Sequence, residues 1–319
     1  RYAVKHLSRE RLSFFFDKDI PPMLEVDSGE EIEVETEDAI AGQLTPATAD
    51  TVSHAVMRSR VPCANPVTGP IFVRGAEPGD GLAVRILAID PAPRERYAWT
   101  IFDPAEGMLT NGLTLNEPLA ESKRILPLED GALAFRFRRG TIRVPVSPAL
   151  GTIGVAPRLE RRCSFLNGND FCGNVDVPSL GVGSTLVLPV HVKGALLSLG
   201  DVHAVSGDGE ISGGAADCRA TVRIAVTVVK APAFLRQPRL DDERSIGSLA
   251  MGGSLDTAVR TAYRDLVARL CGEHGFETVE AYQLLSSVGR VRIGQMIPPV
   301  FHTAVASVER CYLEMVDRG

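Results

Sequence analysis

Residues 69–90 read GPIFVRGAEPGDGLAVRILAID. This stretch predicts two β-strands meeting across AEPGDG, where Pro and Gly supply what a tight turn requires. The same grammar recurs outward from it. EEIEVETED (30–38) alternates Ile32, Val34 and Thr36 with acids, the period of a half-buried strand. GALAFRFRRGTIRVPV (131–146) alternates around a break at Gly140, and GSTLVLPVHV (183–192) reads as a further strand. CRATVRIAVTVVK (218–230) is rich in the Val, Ile and Thr that suit a pleated surface. Through residue 230 no helix-length segment alternates with these strands, which argues against a doubly wound parallel sheet and for a sandwich or barrel.

The C-terminal third changes character. SLDTAVRTAYRDLVARLCGEHG (254–275) spaces Leu255, Ala258, Val259, Ala262, Leu266, Val267 and Leu270 for one face of a helix, with Ser254 as N-cap and Gly272 or Gly275 as stop. TVEAYQLLSSV (278–288) predicts a second, short helix; PPVFHTAVASVERCYLEMV (298–316) begins like a strand and ends ambiguously. The expectation is one domain over 1–319, β-rich from 20 to 230, with an α/β part at 245–319.

Bulk properties bound the function. The chain has 319 residues, 45% of them hydrophobic, enough for a substantial core. Its net charge of −6 without a basic stripe argues against nucleic acid and anionic membranes as partners. No apolar run is long enough to span a bilayer, and the opening RYAVKHLSRERLSFFFDKD does not read as a signal peptide. Six cysteines, at 63, 163, 172, 218, 271 and 311, form no C-x-x-C pair; they predict reduced thiols and a cytoplasmic protein.

Chemistry concentrates in SLGDVHAVSGDGE (198–210). If the strand persists to His203, Asp201 and His203 share one face, a carboxylate and an imidazole placed to bind a divalent metal. Gly207 and Gly209 then turn the chain so that Asp208 and Glu210 return toward the same pocket, where a carboxylate serves as general base and acid. The D-x-H spacing is a far weaker signal than a H-E-x-x-H helix. TEDAIAGQL (36–44) adds Asp38 at a strand end and Gln43; GNDFCGNVDVPSL (168–180) adds Asn174 and Asp176; LGTIGVAP (150–157) has the small residues of a close-packed wall. Each of these, taken singly, is more often a turn than a site. Of the other candidates, His54 is read as structural or exposed. Cys172 is read as a buried inert thiol rather than a nucleophile.

Together the segments IPPMLEVDSGEEIEVETEDAIAGQL (20–44), NPVTGPIFVRGAEPGDGLAVRI (65–86), GTIGVAP (151–157), GNVDVPSLGVGSTLVLPVHVKGALLSLGDVHAVSGDGEISGGAAD (173–217) and EAYQLLSSVGRVRIGQMIPP (280–299) resemble the acetamidase/formamidase family, in order and over most of residues 20–300. The resemblance implies a mainly β fold, a jelly-roll-like β-sandwich with additional C-terminal helices. It implies hydrolysis of short amides to carboxylate and ammonia, a divalent metal, usually zinc, and a homo-oligomer. Carried onto this chain, it points to Asp38, Gln43, Asn174, Asp176, Asp201, His203, Asp208 and Glu210 without dividing the roles among them. From their chemistry we expect Asp38, Asp201 and His203 as metal ligands, Gln43, Asn174 and Asp176 on the substrate, and Glu210 and Asp208 on catalysis. The family pattern H-A-x-Q-G-D-G-E has Gln where Ser206 stands, and Glu and Gly are usual at the positions of Asp217 and Cys172. Two other readings stay open: a non-catalytic binder of small ligands on the same scaffold, and a cysteine-dependent amidase.

Overall fold

The structure is a computed structural model that describes residues 4–109, 119–233, 235–297 and 300–314. The turn at 74–80 does join two strands, Val67–Val73 and Gly81–Pro91. They part into different sheets. Gly81–Pro91 lies inside a nine-stranded sheet, between Ala220–Val229 and Thr185–Pro189, while Val67–Val73 pairs with Leu197–Val205 in a twelve-stranded one. Apolar faces of both sheets merge into one core. Ile32, Val34, Val84, Ile86, Val222 and Ile224 come from the first; Ile71, Leu126, Leu150, Leu197, Leu199 and Val202 from the second. Two sheets sharing one apolar filling make a β-sandwich.

Alternation in the sequence survives where only one face is covered. Ala220–Val229 alternates buried and more exposed positions along most of its length, in register with Glu31–Thr36 through Val222↔Val34 and Ile224↔Ile32. Leu197–Val205 is different: every residue from Leu197 to Ala204 is buried. Its Val202 and Ala204 face the sandwich core, as do Ala98 of Tyr97–Phe102 and Ala216 and Cys218 of Ala216–Cys218. The intervening residues Asp201, His203 and Asp217 therefore belong to the opposite face. A second apolar cluster, Ile40, Leu44, Met57, Trp99 and Ile101, covers that face with the segment following Glu31–Thr36.

The C-terminal part extends the nine-stranded sheet through Ser245–Gly252, His302–Glu309 and Arg290–Ile293. The ambiguous 298–316 segment resolves as that strand followed by a short 3-10 turn, Arg310–Tyr312. The helix Leu255–His274 starts at Ser254, whose Oγ accepts the Thr257 N–H, and stops at Gly275 with φ 73°. Its Ala262, Leu266 and Leu270 pack on Ile246, Ala250, Ala306 and Val308. Thr278–Val288 follows behind a capping box of Glu277 and Glu280. No helix among the described residues is long and apolar enough to cross a membrane.

The expectation of reduced thiols fails for one pair. Cys63 and Cys163 form a disulfide, with Cα atoms 6.3 Å apart across a sequence separation of 100. A pairing over that distance leaves no local spacing to read. Cys172, Cys218, Cys271 and Cys311 are free.

Candidate active site

The strand does persist through His203, and it delivers two polar side chains to a buried centre. His203 Nε2 lies 3.5 Å from Asp201 Oδ1, 3.3 Å from Asp217 Oδ1, 3.6 Å from Asp176 Oδ1 and 3.9 Å from Glu210 Oε1. Asp217 arrives by direct cross-strand pairing with His203. Asp176, Asp201 and Glu210 all have left-handed backbone, with φ of 45°, 53° and 46°. For residues other than glycine that conformation costs of order 1–3 kcal/mol and persists only where the surroundings impose it.

Asp176 and Asp201 show the same division of labour. One oxygen is anchored by neutral donors: Asp176 Oδ2 by Gln295 Nε2 at 2.5 Å, Asp201 Oδ2 by Asn65 Nδ2 at 2.6 Å and Thr152 Oγ1 at 3.1 Å. The other, Oδ1, is buried without a hydrogen-bond partner, and the same holds for Asp217 Oδ1. Gly151 makes room for this packing. A Cβ there would sit 2.6 Å from Asp201 Oδ2 and 2.7 Å from Asp176 Oδ1.

Electrostatics follow from burial. Desolvation raises the Asp176 and Asp217 carboxyls well above the usual range, aided by neighbouring acids and opposed by His203. Glu210 is raised for the same leading reason. Burial works against a charged His203, yet Glu210, Asp201 and Asp217 outweigh it and hold the imidazole well above its ordinary pKa. Four acids around one imidazole leave a surplus of buried negative charge, which costs several kcal/mol per ion unless a cation offsets it. The orphaned Oδ1 atoms, converging with His203 Nε2, fit a divalent cation. Two overlapping groups, Asp176–His203–Glu210 and Asp201–His203–Asp217, each place their ligand atoms within 4.8 Å of one another. The donors that hold the second oxygens have the place of supports that aim metal ligands.

Of the residues singled out from sequence, Asp201, His203, Asp176 and Glu210 meet at this centre, and Asn174 lines the cavity beside it. Asp38, Gln43 and Asp208 do not join it. Asp38 spends Oδ1 on the Ile40 and Gly42 amides and Oδ2 on Trp99 Nε1, shaping the loop whose Ala39 and Ile40 wall the cavity. Gln43 donates to the Ile40 and Met57 carbonyls and ties that loop to the short helix His54–Ser59. Asp208 points outward to Arg292, at 2.9 and 3.0 Å, because the turn at Gly209 (φ 88°) separates it from Glu210. Of the departures, Ser206 does not line the cavity, whereas Asp217 does. Burial pushes the Cys172 thiol up, the opposite of what a nucleophilic thiolate needs.

Sequence reasoning missed Asn65, Thr152, Gln295 and the place of Asp217 beside His203. Asn65 and Gln295 lie within segments that carry the family resemblance but have no chemical signature of their own; Asp217 was visible only as a family departure. His54, read as structural or exposed, is buried and lines the cavity with Arg58, Glu106 and Phe165.

Comparison with known proteins agrees with this architecture. The profile of the Acetamidase/Formamidase family matches residues 6–165 and 163–306. The crystal structure of an acetamidase from Yersinia enterocolitica superposes with a TM-score of 0.89 at 33% identity, covering 98% of this chain and 94% of that one. An acetamidase from Bacillus halodurans gives 0.87 at 31% identity, covering 97% and 98%. The acetamidase of Mycolicibacterium smegmatis is 28% identical over 258 residues, 61% of this chain and 60% of that protein. The matched region spans about three fifths of the length of the curated relatives. On the extent of the profile match and of the structural likeness, this chain belongs to the Acetamidase/Formamidase family.

Proposed function

We propose that the protein hydrolyses a short amide to its carboxylate and ammonia, with a divalent metal held by Asp176, Asp201, His203 and Asp217. The observation that carries this reading is the convergence of partnerless buried Oδ1 atoms of Asp176, Asp201 and Asp217 on His203 Nε2. The cation, zinc in this reading, supplies Lewis acidity toward the amide carbonyl and toward water when bound. The chain's own groups do the rest. Glu210, buried at the same cavity and shifted toward protonation, takes a proton from the attacking water at Oε1. Asn174 Nδ2, already donating to the Phe165 carbonyl at 3.1 Å, orients the amide with its second hydrogen. Ile40, Trp99, Ile101, Phe165 and Ile297 exclude water around a narrow interior, which suits formamide or acetamide better than a long acyl chain.

The test is ammonia release by the purified protein from formamide, acetamide and larger amides, with elemental analysis and with a chelator. Bound divalent metal, and release that stops on chelation and returns on adding metal, is the expected result. Release indifferent to chelation overturns the metal role. No release from any amide by metal-loaded protein overturns hydrolysis and leaves a small-ligand binder.

A further inference from the structure

Beside Glu210 and Asn174 the cavity holds a buried histidine with no part in those steps. His54 opens the helix His54–Ser59, N-capped by Ser53, and lines the same cavity as Asp176, Asp201, Glu210 and Asp217. Its Nδ1 lies 2.6 Å from Asp103 Oδ2, and the side chain is only 4% exposed. Asp103 is itself fixed: Oδ1 accepts the Ala105 N–H at 2.8 Å, and its carbonyl accepts the amides of Glu106 and Gly107. Glu106 lines the cavity beside His54, with Arg58 3.9 Å from its Oε1. A carboxylate on Nδ1 fixes the tautomer and orientation of an imidazole, leaving Nε2 to exchange a proton.

Amide hydrolysis needs protons moved at two atoms. Water loses one as its oxygen bonds to carbon, and the amide nitrogen gains one as the C–N electron pair moves onto it. Glu210 serves the first. We infer that His54 serves the second, giving the proton on Nε2 to the departing nitrogen so that ammonia leaves, with Asp103 as the positioning residue on Nδ1. The imidazole is left neutral, its Nδ1–H still on Asp103, and the proton taken from water reaches it through solvent to close the cycle. This role rests on the amidase reading.

The experiment measures kcat, KM and the leaving-nitrogen 15N isotope effect for hydrolysis of the amide that wild type turns over fastest. It compares metal-loaded wild type, His54→Gln and Asp103→Asn, with metal content and thermal stability recorded for each. Loss of the proton donor lowers kcat about 10²–10⁴-fold, with KM near wild type, and raises the isotope effect because C–N cleavage becomes slower than the steps before it. Asp103→Asn shifts both quantities in the same direction while folding and binding metal. Should His54→Gln keep wild-type kcat, or lose rate with an unchanged isotope effect, the donor role is overturned and the amidase reading stands. If His54→Gln does not fold, Asp103→Asn decides by the same two readouts. Wild type inactive on every amide overturns the amidase reading, and this role with it.

Discussion

At the scale of single residues, the site depends on one position that carries no functional group. Gly151 stands where any side chain would collide with Asp201 Oδ2 and Asp176 Oδ1. Gly151→Ala must push two carboxylates off their anchors. The expected outcome is metal content well below one per chain and ammonia release reduced at least 100-fold, checked by elemental analysis and assay; a fully loaded, fully active variant would contradict the geometry. Asp38 makes a different residue-scale prediction. Burial, with Glu37 beside it, raises its pKa from 3.8 to about 6. Between those values the unfolded chain has released the proton that the folded chain still holds, so stability falls as pH rises from 4 to 6. Asp38→Asn removes that dependence. Denaturant unfolding of both proteins from pH 4 to 7 checks it: the wild type should lose of order 1–3 kcal/mol relative to the variant across that window. The Asp201–His203 pair was legible in the sequence because a strand repeats its direction every second residue. Asp38 was legible only as an acid at a strand end. Nothing local shows that backbone amides and Trp99 use up both its oxygens.

Among the elements, the turn after Leu197–Val205 sorts two acids that sequence reading grouped together. Gly209 reverses the chain and pairs with Gln295 in an isolated bridge, so the segment that aims Glu210 inward also positions the donor to Asp176. Asp208, one residue earlier, meets Arg292 on the surface, an exposed ion pair worth about 1 kcal/mol or less. Asp208→Asn should therefore change kcat/KM less than threefold. Glu210→Gln should lower kcat by about 10²–10⁴, the range of a lost general base, with metal still bound. Steady-state kinetics of the two variants side by side checks the division, and equal losses would refute it. The strands themselves were readable wherever one face is covered, as in Glu31–Thr36 and Ala220–Val229. Leu197–Val205 hides its alternation because both faces are buried: one in the sandwich core, the other under the Ile40–Trp99 cluster. The Ile40 and Leu44 part of that cover comes from a segment with little regular structure, and periodicity has no purchase there.

For the whole molecule, the site is assembled from distant parts: Asn65, Asp176, Asp201, Asp217 and Gln295 come from separate segments that meet only once both sheets and the C-terminal extension are in place. The sequence names the strands and leaves this convergence unstated, as it does the Cys63–Cys163 link. That link holds two of the converging segments together. Cys63 leads into Ala64 and Asn65, and Cys163 into Ser164 and Phe165. Ser164 Oγ donates to the Ala64 carbonyl at 3.1 Å, and Asn65 in turn holds Asp201. Closing 100 residues removes unfolded-state entropy equivalent to about 4.7 kcal/mol in the chain-entropy account. Reduction should act twice: lowering the melting temperature by several degrees, and weakening metal retention because the Asn65 anchor loosens. Calorimetry and chelator competition, each with and without reductant, measure the two effects, and the double variant Cys63→Ala, Cys163→Ala should reproduce both. Thiol counting on the denatured, unreduced protein should find four of the six cysteines reactive. Six reactive thiols, or a melting temperature and metal affinity untouched by reductant, would show that the convergence holds without the clamp.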